Sequence, residues 1–499
     1  KLGSIQNRDA VLNPDGTRAE WPAVDVVVGN PPFLGASKIL GELGEDYTTA
    51  LRNAWGDVVP GFADLVCYWF AQAWKMMETG KLTRAGLVAT NSIRGGANRS
   101  VLKPIVESGR IFEAWSDEPW TVDGAAVRVS LICFDTLRGS GILNGQIADR
   151  ILSDLTANSL GFDLTTAKRL SANLDLCYRG VETGGPFEID FSVFSELVQQ
   201  PMNPNGYRNE HIIRRVLNGS NILKRLPERY VLDFGHGISK QEAALFEKPF
   251  HYLRDAYRSY GAKSTRKLKV REEWWLHRRS GAGLREAQAR LSRIIVTPRV
   301  GKFRIYVWLE TSALPDSATF AIARDDDTTF GILHSRFHEI WALRMGTFLG
   351  VGNDPRYTPS TTFETFPFPK GLTPNIPAAD YADDPRAQKI AVAAARLNEL
   401  RENWLNPADL VKRVPEVVPG YPDRILPKDE AAEKELKKRT LTNLYNVRPA
   451  WLDHAHRALD ETVAEAYGWG DDWRAGSLTD DEILARLFRL NQERAGIGN

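Results

Sequence analysis

Val27-Val28-Gly29-Asn30-Pro31-Pro32-Phe33 sets a side-chain amide, two prolines and an aromatic ring directly after a run of β-branched residues. Those residue types at that spacing suit chemistry at an exocyclic amine of an aromatic base. Such an amine is a poor nucleophile, because its lone pair is delocalised into the ring. Two acceptors on its N–H groups favour rehybridisation and free the lone pair, and an amide oxygen and a backbone carbonyl are both strong acceptors. Proline fixes its own φ and restricts the preceding residue, so Asn30 Oδ1 and the Pro31 carbonyl can be aimed rigidly. Acceptors held in place this way stabilise charge as it develops in the transition state. Pro32 would shape the loop, and Phe33 would offer a flat face to a base taken out of a duplex. The plainer reading is a strand-ending turn, a common use of Asn-Pro and Pro-Pro.

The elements that must position these residues follow from the flanking pattern. The apolar run Asp25-Val26-Val27-Val28 reads as a central strand of a parallel sheet, with Asp25 structural. In open α/β sheets sites lie at the carboxyl ends of strands, which is where Asn30 falls. Apolar spacings of three and four through Leu65, Val66, Trp69, Phe70 and Trp74 predict a helix over 62–77, with Gly80 as its cap. Further strands are expected at 85–92, 109–115 and 127–135, giving an α/β sheet with helical crossovers. Later strand signals lie at 228–235, 293–309 and 319–324. A helix over 241–250 is expected to stop at Pro249, a single helix to cover 331–346, and another 386–402, with 403–430 irregular.

At this point the chain resembles a known family. Residues 25–33, DVVVGNPPF, resemble motif IV of N6-adenine DNA methyltransferases that use S-adenosylmethionine, and 62–93 and 123–135 resemble the helix and strands that follow it. Residues 323–369 and 441–469 resemble the target-recognition region and helical tail of large MmeI-like and DISARM-like restriction–modification or phage-defence methyltransferases. The resemblance implies that Asn30 and the Pro31 carbonyl hold the target amine, that Pro32 shapes the loop and that Phe33 stacks on the flipped base. Asn30 and Pro32 are also the candidate contacts to S-adenosylmethionine. It implies a partial methyltransferase sheet in 1–140, a connector in 141–200, a mixed α+β target-recognition domain in 201–370 and a mainly helical region in 371–499. In this family a glycine-rich cofactor loop precedes the motif; only 29 residues precede Asn30, none forming that loop, and the first residue is Lys1. An upstream segment or partner chain is therefore expected to carry it. Duplex DNA is the expected partner, with other defence-system subunits possible in addition. Two rival readings stand beside this one: a DNA-recognition module without cofactor binding of its own, and an RNA or protein-glutamine amino-methyltransferase.

Charge distribution supports a polyanion partner where the net charge of +1 does not. Residues 1–150 carry 15 basic and 17 acidic residues, whereas 201–310 carry 23 basic and 10 acidic. Arg299, Lys302 and Arg304 near the 293–309 strands, and Asn353, Arg356 and Tyr357 in an expected loop, are the candidate DNA contacts. Arg293 and the alternating Lys267, Lys269 and Arg271 could track a phosphate backbone or form a solvated face. His334 and His338 are four apart without the glutamate placement of a zinc-binding helix, so they read as hydrogen-bonded surface or packing residues, and no metal site is expected. His454 and His456 face differently, and Phe363, Phe366 and Phe368 read as core. Three scattered cysteines, Cys67, Cys133 and Cys177, suit buried free thiols in a cytoplasmic protein. No run approaches the 18 apolar residues of a membrane span, and no nuclease carboxylate cluster is evident.

Overall fold

A computed structural model describes residues 5–122, 125–157, 163–225, 229–263, 272–349, 354–415 and 423–497. The chain divides into two compact units: Lys1–Ala167 with Met345–Arg356, and Lys168–Arg344 with Tyr357–Asn499.

The first unit contains β1 (Val24–Gly29), α1 (Ala36–Leu43), α2 (Glu45–Trp55), α3 (Cys67–Glu78), β2 (Leu82–Thr90), α4 (Lys103–Ser108), β3 (Arg110–Val122), β4 (Ala125–Asp135), β5 (Gly141–Leu143) and β6 (Gln146–Ala148). Its sheet has the order β1-β2-β4-β3-β5-β6. The three helices α1–α3 form the crossover between β1 and β2, which pair in parallel from Val24–Leu82 to Gly29–Leu87. β4 runs antiparallel to both β2 and β3, so the sheet is mixed where a parallel one was expected. α3 begins at Cys67, five residues later than its apolar spacing predicts. It buries Phe70, Ala73, Trp74 and Met77 in the same core as Ala85, Leu87, Ile132 and Phe134. The ring of Phe70 stacks on that of Phe134 with centroids 5.8 Å apart.

β1 differs from expectation. It is an edge strand: among the described residues only β2 pairs with it. Val27 packs on the core, while Val24, Val26 and Val28 on the opposite face are exposed, Val28 at 82%. A β-branched run favours extended backbone whether one face or both are covered, so the sequence alone does not separate a central strand from an edge one.

The second unit contains β7 (Cys177–Arg179), β8 (Glu188–Ile189), α5 (Phe191–Val198), β9 (Ile213–Leu217), β10 (Tyr230–Leu232), α6 (Lys240–Ala244), α7 (Glu247–Lys263), α8 (Ala282–Gln288), β11 (Arg293–Pro298), β12 (Val307–Glu310), β13 (Ala313–Pro315), β14 (Thr319–Ile322), α9 (Asp327–His334) and α10 (Arg336–Met345). The hairpin β15 (Thr347–Leu349) and β16 (Asp354–Arg356) returns to the first unit. The chain ends in α11 (Pro385–Leu405), a hairpin of β17 (Val411–Val414) and β18 (Arg424–Pro427), α12 (Glu430–Lys438), α13 (Leu441–Val447), α14 (Ala450–Tyr467), α15 (Gly470–Arg474) and α16 (Asp480–Ile497). An N-terminal mixed α/β sheet is thus followed by a largely helical C-terminal region.

Two four-stranded sheets, β13-β9-β10-β8 and β12-β11-β14-β7, and the β17–β18 pair form the β part of this unit. Residues 141–148, expected in a connector, complete the first unit's sheet, and β7 and β8 belong to the second unit. Pro249 does not end a helix; it occupies the first turn of α7, where its missing N–H costs nothing. The helix expected over 331–346 is two helices, because Ser335 adopts an extended conformation between α9 and α10. The Thr328 hydroxyl of α9 donates to the Ala387 carbonyl of α11 at 3.0 Å, and the Arg336 N–H of α10 donates to Asp460 of α14 at 2.7 Å. The stretch 403–430 contains the β17–β18 hairpin that the proline-rich sequence hides.

Candidate active site

Asn30 leaves the carboxyl end of β1 with its side chain exposed; Pro31 is buried, Pro32 exposed and Phe33 half-buried. A buried proline beneath an exposed amide gives the loop one anchored residue and one presented residue. The Leu34 N–H donates to the Pro32 carbonyl at 3.2 Å, and the Leu65 N–H donates to the Leu34 carbonyl at 2.9 Å, tying the loop to the residues before α3.

Asp64 holds this loop in place. Its Oδ1 accepts the Ala36 N–H at 2.9 Å, at the start of α1, where a negative charge also complements the helix dipole. Its Oδ2 accepts from Ser92 Oγ and from Asn98 Nδ2, both at 2.7 Å, and its own N–H donates to Asn98 Oδ1 at 2.7 Å. Ser92 and Asn98 lie in the segment after β2, so one carboxylate joins the loops at the ends of two adjacent parallel strands. The same segment is braced from Asn91, whose amide donates to Asp117 of β3 at 2.8 Å. At Gly95 a Cβ would come within 2.8 Å of Thr347, so a glycine lets the β15–β16 hairpin lie against this segment. Asp64, Ser92 and Asn98 escape a reading of the sequence alone. Their one signal is the concentration of polar residues in 90–98, directly after a strand.

Cys67 beside Asp64 is buried, and burial, with a smaller contribution from Asp64, pushes its thiol well above the usual range. Phe62, 84% exposed, lies two residues before Asp64 and presents an aromatic ring to solvent. Among the described residues no cluster of three or more His, Cys, Asp or Glu side chains could hold a metal, and no helix is long and apolar enough to cross a membrane.

The expected DNA contacts separate into groups. Arg356, half-buried on β16, shares the first unit with Asn30–Phe33, on the hairpin that meets the segment after β2. Arg299 and Lys302 belong to the second unit and reach its surface, Lys302 donating to Asn446 at 2.6 Å. Arg304 and Tyr357 are corrected by the structure, for both are buried, at 7% and 1% exposure. Arg304 donates to Thr297 at 3.0 Å and to the Pro298 carbonyl at 2.5 Å, and its guanidinium lies 4.9 Å from the Tyr357 ring centre. The Tyr357 hydroxyl meets His338 Nε2 at 3.2 Å, and Tyr306 meets His338 Nδ1 at 3.1 Å. Burial, followed by the charge of Arg304, depresses His338 to about 3, so it packs as a neutral ring. Arg293 is held internally over Trp308, 3.7 Å from its ring centre, and pairs with Asp327. Asn353, Lys267, Lys269 and Arg271 lie outside the described residues. Phe363, Phe366 and Phe368 are core residues, as expected, His334 is buried too, and His456 is buried against the Tyr445 hydroxyl at 2.8 Å.

No curated protein matches the chain. Among solved structures it is similar to the Type IIL restriction-modification enzyme MmeI in complex with DNA, at 20% identity and a TM-score of 0.67, over 95% of this chain and 57% of that one. The DrdV–DNA complex also aligns, at 11% identity and a TM-score of 0.36 over 97% and 57% of the two chains, and adds nothing to the fold assignment. The chain thus spans just over half the length of each of these solved proteins. Residues 6–143 match the family model described as MmeI, DNA-methyltransferase domain, and an MmeI-like DNA-methyltransferase domain is therefore present over this part of the chain.

Proposed function

We propose that the chain takes part in site-specific methylation of DNA at N6 of a flipped adenine, with S-adenosylmethionine as donor, in a prokaryotic restriction–modification or phage-defence system. The observation that carries this reading is the exposed Asn30 amide above a buried Pro31, at the carboxyl end of β1 and inside the matched domain. A neutral amide, a carbonyl and an aromatic ring, with no reactive nucleophile beside them, fit direct transfer to an amine rather than a covalent enzyme intermediate.

In this mechanism Asn30 Oδ1 and the Pro31 carbonyl accept the two N–H groups of the target and localise its lone pair for attack. Phe33 stacks on the extruded base and offsets part of the unstacking cost. Asp64 keeps the loop at the distance in-line attack requires, about 3–3.5 Å between reacting atoms. The amine proton becomes acidic as the new N–C bond forms and leaves to solvent, so no carboxylate base is needed. S-adenosylmethionine, when bound, supplies the electrophilic methyl group, and Asn30 and Pro32 are the residues present that would border it. They fit one wall of such a site, since both are exposed at the strand end. An upstream segment or partner chain would supply the other wall, and the open edge and exposed valines of β1 support that arrangement.

The same open edge favours a second reading, in which the chain by itself recognises DNA without binding cofactor. Titration calorimetry with S-adenosylmethionine separates the two. Tritiated methyl transfer, offered duplex DNA, RNA and protein in parallel, tests the substrate: label in DNA adenine is expected, and label in protein alone would sink the proposal. Asn30→Ala should lower transfer by about 100-fold or more while leaving duplex affinity within about twofold; equal loss of both would make Asn30 structural.

A further inference from the structure

Three arginines that the methyl-transfer loop does not use collect at one end of the sheet β12-β11-β14-β7. Arg179 is the last residue of β7, and Arg299 directly follows β11. β14, antiparallel to both, starts between them: Phe320 pairs with Arg179 and Thr319 with Pro298. Both strand ends grip the turn before β14, Arg179 Nε donating to the Ser317 carbonyl at 3.0 Å and the Arg299 N–H to the Ala318 carbonyl at 2.8 Å. The chain after β7 then lies against the same turn, Val181 bridging to Asp316 and Glu182 to Arg279. Gly180 permits this approach, because a Cβ there would fall 2.1 Å from the Asp316 carbonyl oxygen.

Tyr178, Arg179, Arg278, Arg279 and Ser280 line an open cleft of about 480 Å³ at this place. Partial burial, then the charges of Arg279 and Arg299, lower the Arg179 pKa, so each of the two lies near enough to act on Arg179. Two carboxylates, Glu182 and Asp316, lie near and partly offset this charge. Glu182 is engaged by Arg278 at 3.0 Å, and burial raises the pKa of Asp316. Like charges gathered at a fixed strand end repel one another, and a bound polyanion relieves that repulsion.

We infer that this cleft, through Arg179 and Arg279, seats the phosphodiester backbone of duplex DNA. The inference rests on the proposal that the chain acts on DNA and adds to it a backbone-positioning site. Interactions of this kind fix register without reading sequence. The test is duplex affinity of the full chain as a function of salt, for Arg279→Ala, for Arg179→Ala with Arg279→Ala, and for Lys437→Ala on α12 as control. Affinity for specific and unrelated duplexes alike should fall, roughly tenfold for the pair, and the slope of log K against log salt should shrink by about 1 for each phosphate no longer neutralised. Arg279 is exposed, so its single variant is expected to fold even where the pair does not; melting temperature verifies this. An unchanged slope in folded Arg279→Ala would overturn the inference, as would stabilisation by inorganic phosphate without any change in duplex affinity. Because the readout is binding, failure of methyl transfer alone does not touch it, whereas absence of duplex binding by the parent chain defeats both.

Discussion

Asp64 shows how much a single side chain can organise. Its carboxylate accepts three hydrogen bonds from two segments, and none of them involves the residues expected to meet the substrate. Asp64→Ala should therefore reduce kcat by about tenfold or more, with a smaller change in KM for DNA and a stability loss of about 1–3 kcal/mol. Asp64→Asn retains two acceptor sites on one oxygen and should recover part of kcat; equal rates for the two variants would show that loop placement does not depend on this residue. The place of Asn30–Phe33 directly after a strand was legible in the sequence because the signal is local, a β-branched run followed by four adjacent residues of distinctive type. Asp64 was not, because its partners are 28 and 34 positions away and an aspartate before a helix otherwise reads as a cap.

At the scale of elements, the strands 293–309 carry the main discrepancy between expectation and structure. Arg299, Lys302 and Arg304 look alike in a basic strand pair, yet Arg304 turns inward and stacks on Tyr357. Alternation cannot identify the buried member, because a guanidinium with carbonyl and hydroxyl partners substitutes for an apolar residue in the core. Arg304→Ala should cost on the order of 2–4 kcal/mol, read as a lower melting temperature, without reducing the salt dependence of DNA binding. Lys302→Ala, at an exposed position, should leave stability within about 0.5 kcal/mol. The helical region offers a pH test. Burial pushes Asp460 of α14 up to about 7, above an ordinary carboxylate value of 3.8. Between those values the folded chain keeps a proton that the unfolded chain has released, so this residue's contribution to stability falls as pH rises from about 4 to 7 and is fully lost above that. Asp460→Asn should still accept the Arg336 N–H, and should gain stability over the parent chain at pH 8 compared with pH 4. A constant difference across that range would show that Asp460 is not the titrating group.

On the scale of the whole molecule, the two units differ in what they carry: the first holds the Asn30–Phe33 loop, for which amine activation is proposed, and the second holds the basic strand ends. The α/β character of the first was legible because apolar periodicity is a local property. The edge position of β1, the antiparallel β4 and the division at 167 were not, since they depend on pairings between distant segments. Amide hydrogen exchange distinguishes edge from interior: β1 amides should exchange faster than those of β2 and β4, which have neighbours on both sides.

That exposed strand has a consequence for control of the reaction. Asn30 hangs from an edge strand of its sheet, so its position is only as fixed as β1 is ordered. A neighbour that pairs with β1 binds the ordered form and raises its population by mass action. Under the proposed function, assembly and competence would then be one equilibrium, and methyl transfer would follow pairing at β1.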